Sequence, residues 1–113
     1  MDHLIFIPGL YQLRMRRIEQ AKYNRNRAMA VDADPHIAHE SEVVATRLEK
    51  EVVMLNEQIT ENVQTVEGIE HMVRILVSSP HKSADRTLAI RHLEDASMRL
   101  RRELSTEDTS QQF

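Results

Sequence analysis

The stretch from Asp34 to Pro80, D-P-H-I-A-H-E-S-E-V-V-A-T-R-L-E-K-E-V-V-M-L-N-E-Q-I-T-E-N-V-Q-T-V-E-G-I-E-H-M-V-R-I-L-V-S-S-P, decides the fold. A row of mostly apolar residues runs through it: Ile37, Ser41, Val44, Leu48, Val52, Leu55, Ile59, Val63, Val66, Ile69, Val73 and Leu76. The gaps are threes and fours averaging about 3.55, between the straight-helix period and the coiled-coil heptad. Asp34 and Pro35 mark its start. An N-cap aspartate accepts free amide hydrogens, and a proline at the first helical position gives up an N–H that had no partner. Pro80 marks its end, because proline cannot extend the hydrogen-bond ladder. The pattern predicts one helix over 35–77, roughly 60 Å long at 1.5 Å per residue. Gly68 invites a kink, since glycine costs about 1 kcal/mol against alanine in a helix interior.

On the N-terminal side, residues 1–34 read as an arm followed by a basic helix. The longest apolar run, Leu4-Ile5-Phe6-Ile7, is far short of the roughly 20 residues a membrane span needs. It also lacks the basic flank of a signal peptide. Pro8-Gly9 is a turn signal closing an arm or short strand. A helix from Leu10 to Met29 follows, with a thin stripe of Tyr11, Met15, Ile18, Ala21 and Ala28. On the C-terminal side, Ser83 or Asp85 caps a third helix over 84–104, whose inner face is Ala89, Leu93, Ala96, Leu100 and Leu104. The polar residues 105–113 are expected to form a disordered tail.

The predicted architecture is therefore all-α: a long helical hairpin over 35–104 with an additional N-terminal helix. The third helix, about 30 Å long, can cover only half of the long one. Leaving the stripe from Ile37 to Ile59 wet would forfeit on the order of 1.5–3 kcal/mol per aliphatic side chain. Either the first helix or a second copy must cover it. The thin stripe of the first helix favours a second copy, at least in part, and hence a homo-oligomer of coiled-coil character.

With 113 residues the chain makes one small domain. It has no cysteine, which removes disulfides, thiolate metal sites and cysteine nucleophiles and suits a cytoplasmic home. Charge is unevenly spread. Arg14, Arg16, Arg17, Lys22, Arg25 and Arg27 meet only Glu19, whereas the carboxylates from Asp32 to Glu70 meet only Arg47 and Lys50. Such blocks can pair with each other, within or between chains.

Catalytic patterns are missing. His36 and His39 share a helix face, but no further ligand stands at metal-site spacing. With two glycines there is no phosphate-cradling loop, and nothing resembles a nucleophile elbow. The chain is expected to be neither an enzyme nor a cofactor carrier. The basic segment 14–27 could meet nucleic-acid phosphates, but a solvated helix face, or pairing with the acidic long helix of a neighbouring copy, is the better reading, since the chain is slightly acidic overall.

The C-terminal segment Ser83 to Leu104 reads S-A-D-R-T-L-A-I-R-H-L-E-D-A-S-M-R-L-R-R-E-L. Free amides at a helix start favour an anion, and Lys82, Arg86 and Thr87 cluster there. A guanidinium adds a planar fork matched to phosphate oxygens. Within this segment Leu88-Ala89-Ile90, Leu93-Glu94-Asp95-Ala96 and Met98 resemble the pattern S-R-E-x-S-L-A-I-T-x-L-E-E-A-x-M-W. That pattern belongs to the helical hairpin domain of phage anti-CBASS and anti-Thoeris sponge proteins. The match covers about a fifth of the chain. Ser83, Asp85 and Thr87 fall on the pattern's first serine, acidic residue and second serine. Ala84 stands where the pattern has arginine, and Arg99 where it has tryptophan.

The resemblance implies a phage-encoded, oligomeric protein that binds a cyclic nucleotide immune messenger between protomers and keeps it intact. The ligand would be a cyclic di- or oligonucleotide or a cyclic ADP-ribose isomer. Under that reading Lys82, Arg86 and Arg91 hold phosphate and Thr87 hydrogen-bonds. Base recognition wants an aromatic platform, which makes Tyr11 or Tyr23 of an adjacent protomer the stacking residue. The rival reading is an adaptor whose apolar stripe docks a host or viral protein.

Overall fold

A computed structural model of the protein describes residues 8–30, 32 and 34–105. It is all-α, a helical hairpin with an extra N-terminal helix. Three helices follow in chain order: α1 (Leu10–Ala28), α2 (Pro35–Ser78) and α3 (Ala84–Leu104). Each lies within one residue of its expected bounds. The N-terminal arm through Ile7 and the tail from residue 106 lie outside the described residues.

The punctuation works as the residue chemistry dictates. Asp34 Oδ1 accepts from the His36 amide at 2.8 Å, so the aspartate ahead of Pro35 satisfies an amide that the helix cannot. At α3, Ser83 is the cap, with an extended backbone and its hydroxyl oxygen accepting from the Arg86 amide at 3.1 Å. Asp85 lies inside the helix, where its charge favours the positive N-terminal end. α2 runs through Gly68 unbroken, and the glycine has no positive φ.

Two compact units divide the described residues: 10–58, and 59–105 together with 8–9. In the first, α1 lies on the opening half of α2. Ala21, Ser41, Ala45 and Leu48 are buried there, Ala45 fully. Polar ties flank them. Arg14 Nη1 donates to Asn56 Oδ1 at 2.9 Å, Arg17 pairs with Glu51 at 2.9 Å, and Arg25 reaches Glu49 at 2.6 Å. The chain's own first helix thus covers part of this half of the stripe, although Ile37 at its start is exposed. Small residues contribute: Ala21 of α1 and Ala45 of α2 are both buried, so the helices need no bulky side chain at these positions to exclude water.

On α1, Ile18, Ala21 and Ala28 of the expected stripe are sheltered, but its first two members are not. Tyr11 and Met15 are exposed, Met15 by 58%. Leu10, Leu13, Arg14, Arg17, Ile18, Asn24 and Arg25 are half-buried beside Ala21 and Ala28, and the arginine stems supply apolar length while their heads stay wet. Arg17→Gln is expected to cost less than about 1 kcal/mol, the scale of a surface ion pair, read as a small shift of the urea midpoint.

In the second unit, α3 packs on the closing half of α2. Ile59, Asn62, Val66, Ile69 and Leu104 are buried, along with Ser97. Gly9 presses on the end of α3. A methyl group there would sit 2.5 Å from the Leu104 carbonyl oxygen and 2.6 Å from the Ser105 Cα, both backbone atoms. Gly9→Ala is therefore expected to destabilise by roughly 1–3 kcal/mol, as overpacking does, lowering the thermal midpoint by several degrees.

The sheltered row of α2 is Ala38, Ser41, Ala45, Leu48, Val52, Leu55, Ile59, Asn62, Val66, Ile69, Val73 and Leu76. Its gaps alternate three and four throughout, the heptad pattern of a coiled coil. Ala45 and Asn62 sit in it where the sequence suggested Val44 and Val63. α3 repeats the device with Arg86, Ile90, Leu93, Ser97, Leu100 and Leu104, so Ser97 takes the place expected for Ala96.

Candidate functional site

The loop into α3 gathers the cationic candidates. Lys82 Nζ donates to the Val77 carbonyl at 2.9 Å and so caps the end of α2. Thr87 Oγ1 donates to the Ser83 carbonyl at 3.1 Å, the same oxygen that accepts from the Thr87 amide at 3.1 Å. Both side chains are therefore engaged by backbone carbonyls. Arg86 and Arg91 are not: neither guanidinium has a hydrogen bond or ion pair among the described residues. Arg86 is half-buried at the first sheltered position of α3, and Arg91 is exposed one turn beyond Thr87. Of the predicted residues, Lys82, Arg86, Thr87 and Arg91 thus share the first turns of α3 and its leading loop.

Tyr11 and Tyr23 belong to the other unit and are both exposed. Each ring carries a guanidinium from its own helix. Arg14 stands 5.4 Å from the Tyr11 centroid, and Arg27 stands 6.0 Å from that of Tyr23. The spacings of three and four residues put each pair on one helix face, within cation–π range. Twelve residues separate the tyrosines, about 18 Å along the axis, so they form two separate platforms.

Three of the six cations of the basic segment reach the long helix of their own chain: Arg17 and Arg25 meet carboxylates and Arg14 an asparagine. Arg25 is the best placed of these residues, with Nη2 touching both Glu49 Oε1 at 2.6 Å and Thr46 Oγ1 at 3.4 Å. The hydrogen bond with Glu49 raises its pKa above the ordinary arginine value. Slight desolvation opposes this, and the charges of Glu49 and Glu42 add to it. A raised cation contributes at every pH below the arginine range, and that contribution is lost only as pH climbs through the raised value.

His36 Nε2 lies 3.2 Å from Glu40 Oε1 on the exposed start of α2. Among the described residues no group of three His, Cys, Asp or Glu side chains could hold a metal ion. No described helix is long and apolar enough to cross a membrane.

The sequence reading missed a groove along one side of the α2–α3 hairpin. Val73, Ser97 and Met98 line it with Glu70, Arg74, Glu94 and Arg101, and it encloses about 400 Å³. Glu70 pairs with Arg101 across it. The signal for it is positional: Glu70, Arg74, Glu94, Met98 and Arg101 each stand one residue beyond a sheltered position of their helix. Locating it requires the true heptad register.

A second exposed line on α3 contains Leu88, Arg91, Asp95, Met98 and Arg102, again at alternating gaps of three and four. Its apolar members, Leu88 and Met98, are 49% and 46% exposed. Comparison of the chain with protein-family models, with curated proteins and with solved structures found no match.

Proposed function

We propose that the protein is a phage anti-defence sponge, which binds a cyclic nucleotide immune messenger and holds it without cleavage in a homo-oligomer. The observation that carries this reading is a coincidence of place. The segment 83–104 that resembles the sponge proteins forms one arm of a helical hairpin, and its leading turns hold two guanidiniums without an acidic partner among the described residues. Arg86 and Arg91 are the primary phosphate contacts. Lys82 and Thr87 join them by exchanging their backbone carbonyls for phosphate oxygens. Tyr11 or Tyr23 of a neighbouring protomer supplies the stacking face, its arginine partner already in position to meet a phosphate.

The exposure of Leu88 and Met98 supports the oligomer. Both belong to the resemblance, and neither is sheltered within its own hairpin. The exposed line that contains them also carries Arg91, so a protomer covering it would bring its own groups beside that guanidinium.

Thermal denaturation against cyclic di- and trinucleotides and cyclic ADP-ribose isomers tests the reading. Ligand at a hundred times its dissociation constant adds about 2.7 kcal/mol per site, an upward shift of several degrees. The shift is expected to vanish in Arg86→Ala combined with Arg91→Ala, and recovered ligand to be chemically intact. Hydrolysed ligand overturns sequestration. A flat panel would favour the adaptor reading, for which Met72 and Ile75, exposed on neighbouring turns of α2, offer a docking line.

A further inference from the structure

Five residues of α2 stand in one exposed line at gaps of three, four, three and four: Arg47, Lys50, Met54, Glu57 and Glu61. The sheltered row of the helix falls on its other side. None of the four charged side chains has an ion pair or hydrogen bond among the described residues. Within one helix the arrangement is unfavourable, because Arg47 and Lys50 repel at a spacing of three and Glu57 and Glu61 at a spacing of four. The order of the charges is what distinguishes the line. Two cations precede Met54 and two carboxylates follow it, at offsets of −7, −4, +3 and +7. Turned end for end about Met54, the line becomes its own complement. We propose that a second copy of the chain pairs with α2 along this line, antiparallel, on a two-fold axis at Met54.

The offsets give the contacts. On antiparallel helices a residue a given number of places before the axis meets one as many places after it. Arg47 therefore meets Glu61 of the second copy. Lys50 meets Glu57 of the second copy one place out of register, within the reach of its four-carbon stem. Symmetry repeats both contacts, which makes the interface isologous, and each repelling pair faces a pair of opposite sign. A parallel pairing in register would set every charge against itself. An unrelated partner would give no reason for a pattern that reverses sign about a single residue.

The apolar surface fits the same axis. Met54 is 62% exposed and Val53 beside it 56%, so the centre of the line carries side chains that the chain itself does not cover. A groove of about 500 Å³ runs beside Val43, Arg47 and Lys50. Thr65 stands as far after Met54 as Val43 stands before it, so the stretch 61–65 of the second copy enters this groove. The contact does not use the line of Leu88 and Met98, and it stands whether or not the protein is a sponge. Its ion pairs are exposed, so each contributes little and is screened by salt. The contact is therefore expected in concentrated protein at low salt and absent from the dilute samples used for unfolding.

The absence of cysteine makes the axis directly testable. In concentrated protein at low salt under mild oxidation, Met54→Cys is expected to form a disulfide between chains at least tenfold faster than Met15→Cys, a control of similar exposure on α1. Adding Arg47→Glu with Lys50→Glu to Met54→Cys makes the line wholly acidic. Adding Glu57→Lys with Glu61→Lys instead makes it wholly basic. Each of these variants alone should cross-link at least tenfold more slowly than Met54→Cys, and an equimolar mixture of the two should recover the rate. A variant carrying all four charge reversals together should cross-link as Met54→Cys does, which separates a lost contact from a lost fold. Equal rates for Met54→Cys and Met15→Cys overturn the proposal. So does an undiminished rate in the acidic or the basic variant, or a mixture no faster than its components.

Discussion

Asn62→Leu is expected to make the protein more stable. Asn62 occupies a sheltered heptad position of α2, is only 6% exposed, and its Oδ1 is buried without a hydrogen-bond partner among the described residues. A desolvated carbonyl left unpaired costs about 1–3 kcal/mol. Leucine has the same branched skeleton of four side-chain heavy atoms, needs no partner, and adds apolar burial to the relief. The gain should appear as a higher urea midpoint at an unchanged m-value. A loss of stability would mean that the Asn62 amide makes a contact worth more than its carbonyl costs. Buried asparagines in heptad seams fix register at the expense of stability. The same variant should therefore be run by analytical ultracentrifugation, where a change of assembly state would reveal that role.

Leu48→Ala should have the largest effect in the opposite direction. Leu48 is buried under α1, flanked in the heptad row by Ala45 and Val52. Its neighbours in that row are small, so little can move in to refill the space. Truncating a buried leucine costs about 2–5 kcal/mol, more where the site cannot collapse. For a chain this small, that is a large part of the total stability of roughly 5–15 kcal/mol. The matched control is Met54→Ala on the exposed side of α2, expected to change stability by no more than about 0.5 kcal/mol. If the two variants lose equal stability, α1 does not cover Leu48.

The two substitutions probe the same feature from opposite ends. Among the described residues none of the large side chains is fully buried. The molecule is instead held by a narrow row on α2 that opens with alanine and serine and has one asparagine, Asn62, among its leucines, isoleucines and valines. Such a row has little redundancy, and every position in it bears directly on whether two helices meet.

Much of this was legible in the sequence because it rests on local chemistry. Asp34-Pro35, Ser83 and Pro80 set helix ends through caps and missing amides, which depend only on neighbouring residues. The long stripe of α2 declares a helix because apolar spacing is tied to the 3.6-residue turn. The cluster of Lys82, Arg86 and Thr87 is likewise local, since four residues of helix cannot separate them. What the loop chemistry hid was commitment: the lysine and the threonine both spend their donors on backbone carbonyls.

Register and partnership required the tertiary structure. Val44 and Val63 are more hydrophobic than Ala45 and Asn62, yet the latter are the buried pair, because a heptad seam selects by angle and helix–helix distance. Close approach rewards a small residue at Ala45, and the angle imposes Asn62 despite its cost. The same rule turned Met15 and Tyr11 outward and brought arginine stems inward on α1. Which helix covers the first half of α2 is likewise a tertiary matter, since apolar content undercounts a surface built from alanine and the stems of Arg14 and Arg17. Sequence alone determined that this chain is three helices and where each begins and ends. Tertiary packing decided which faces meet, because only contact between helices distinguishes a residue that is apolar from one that fits.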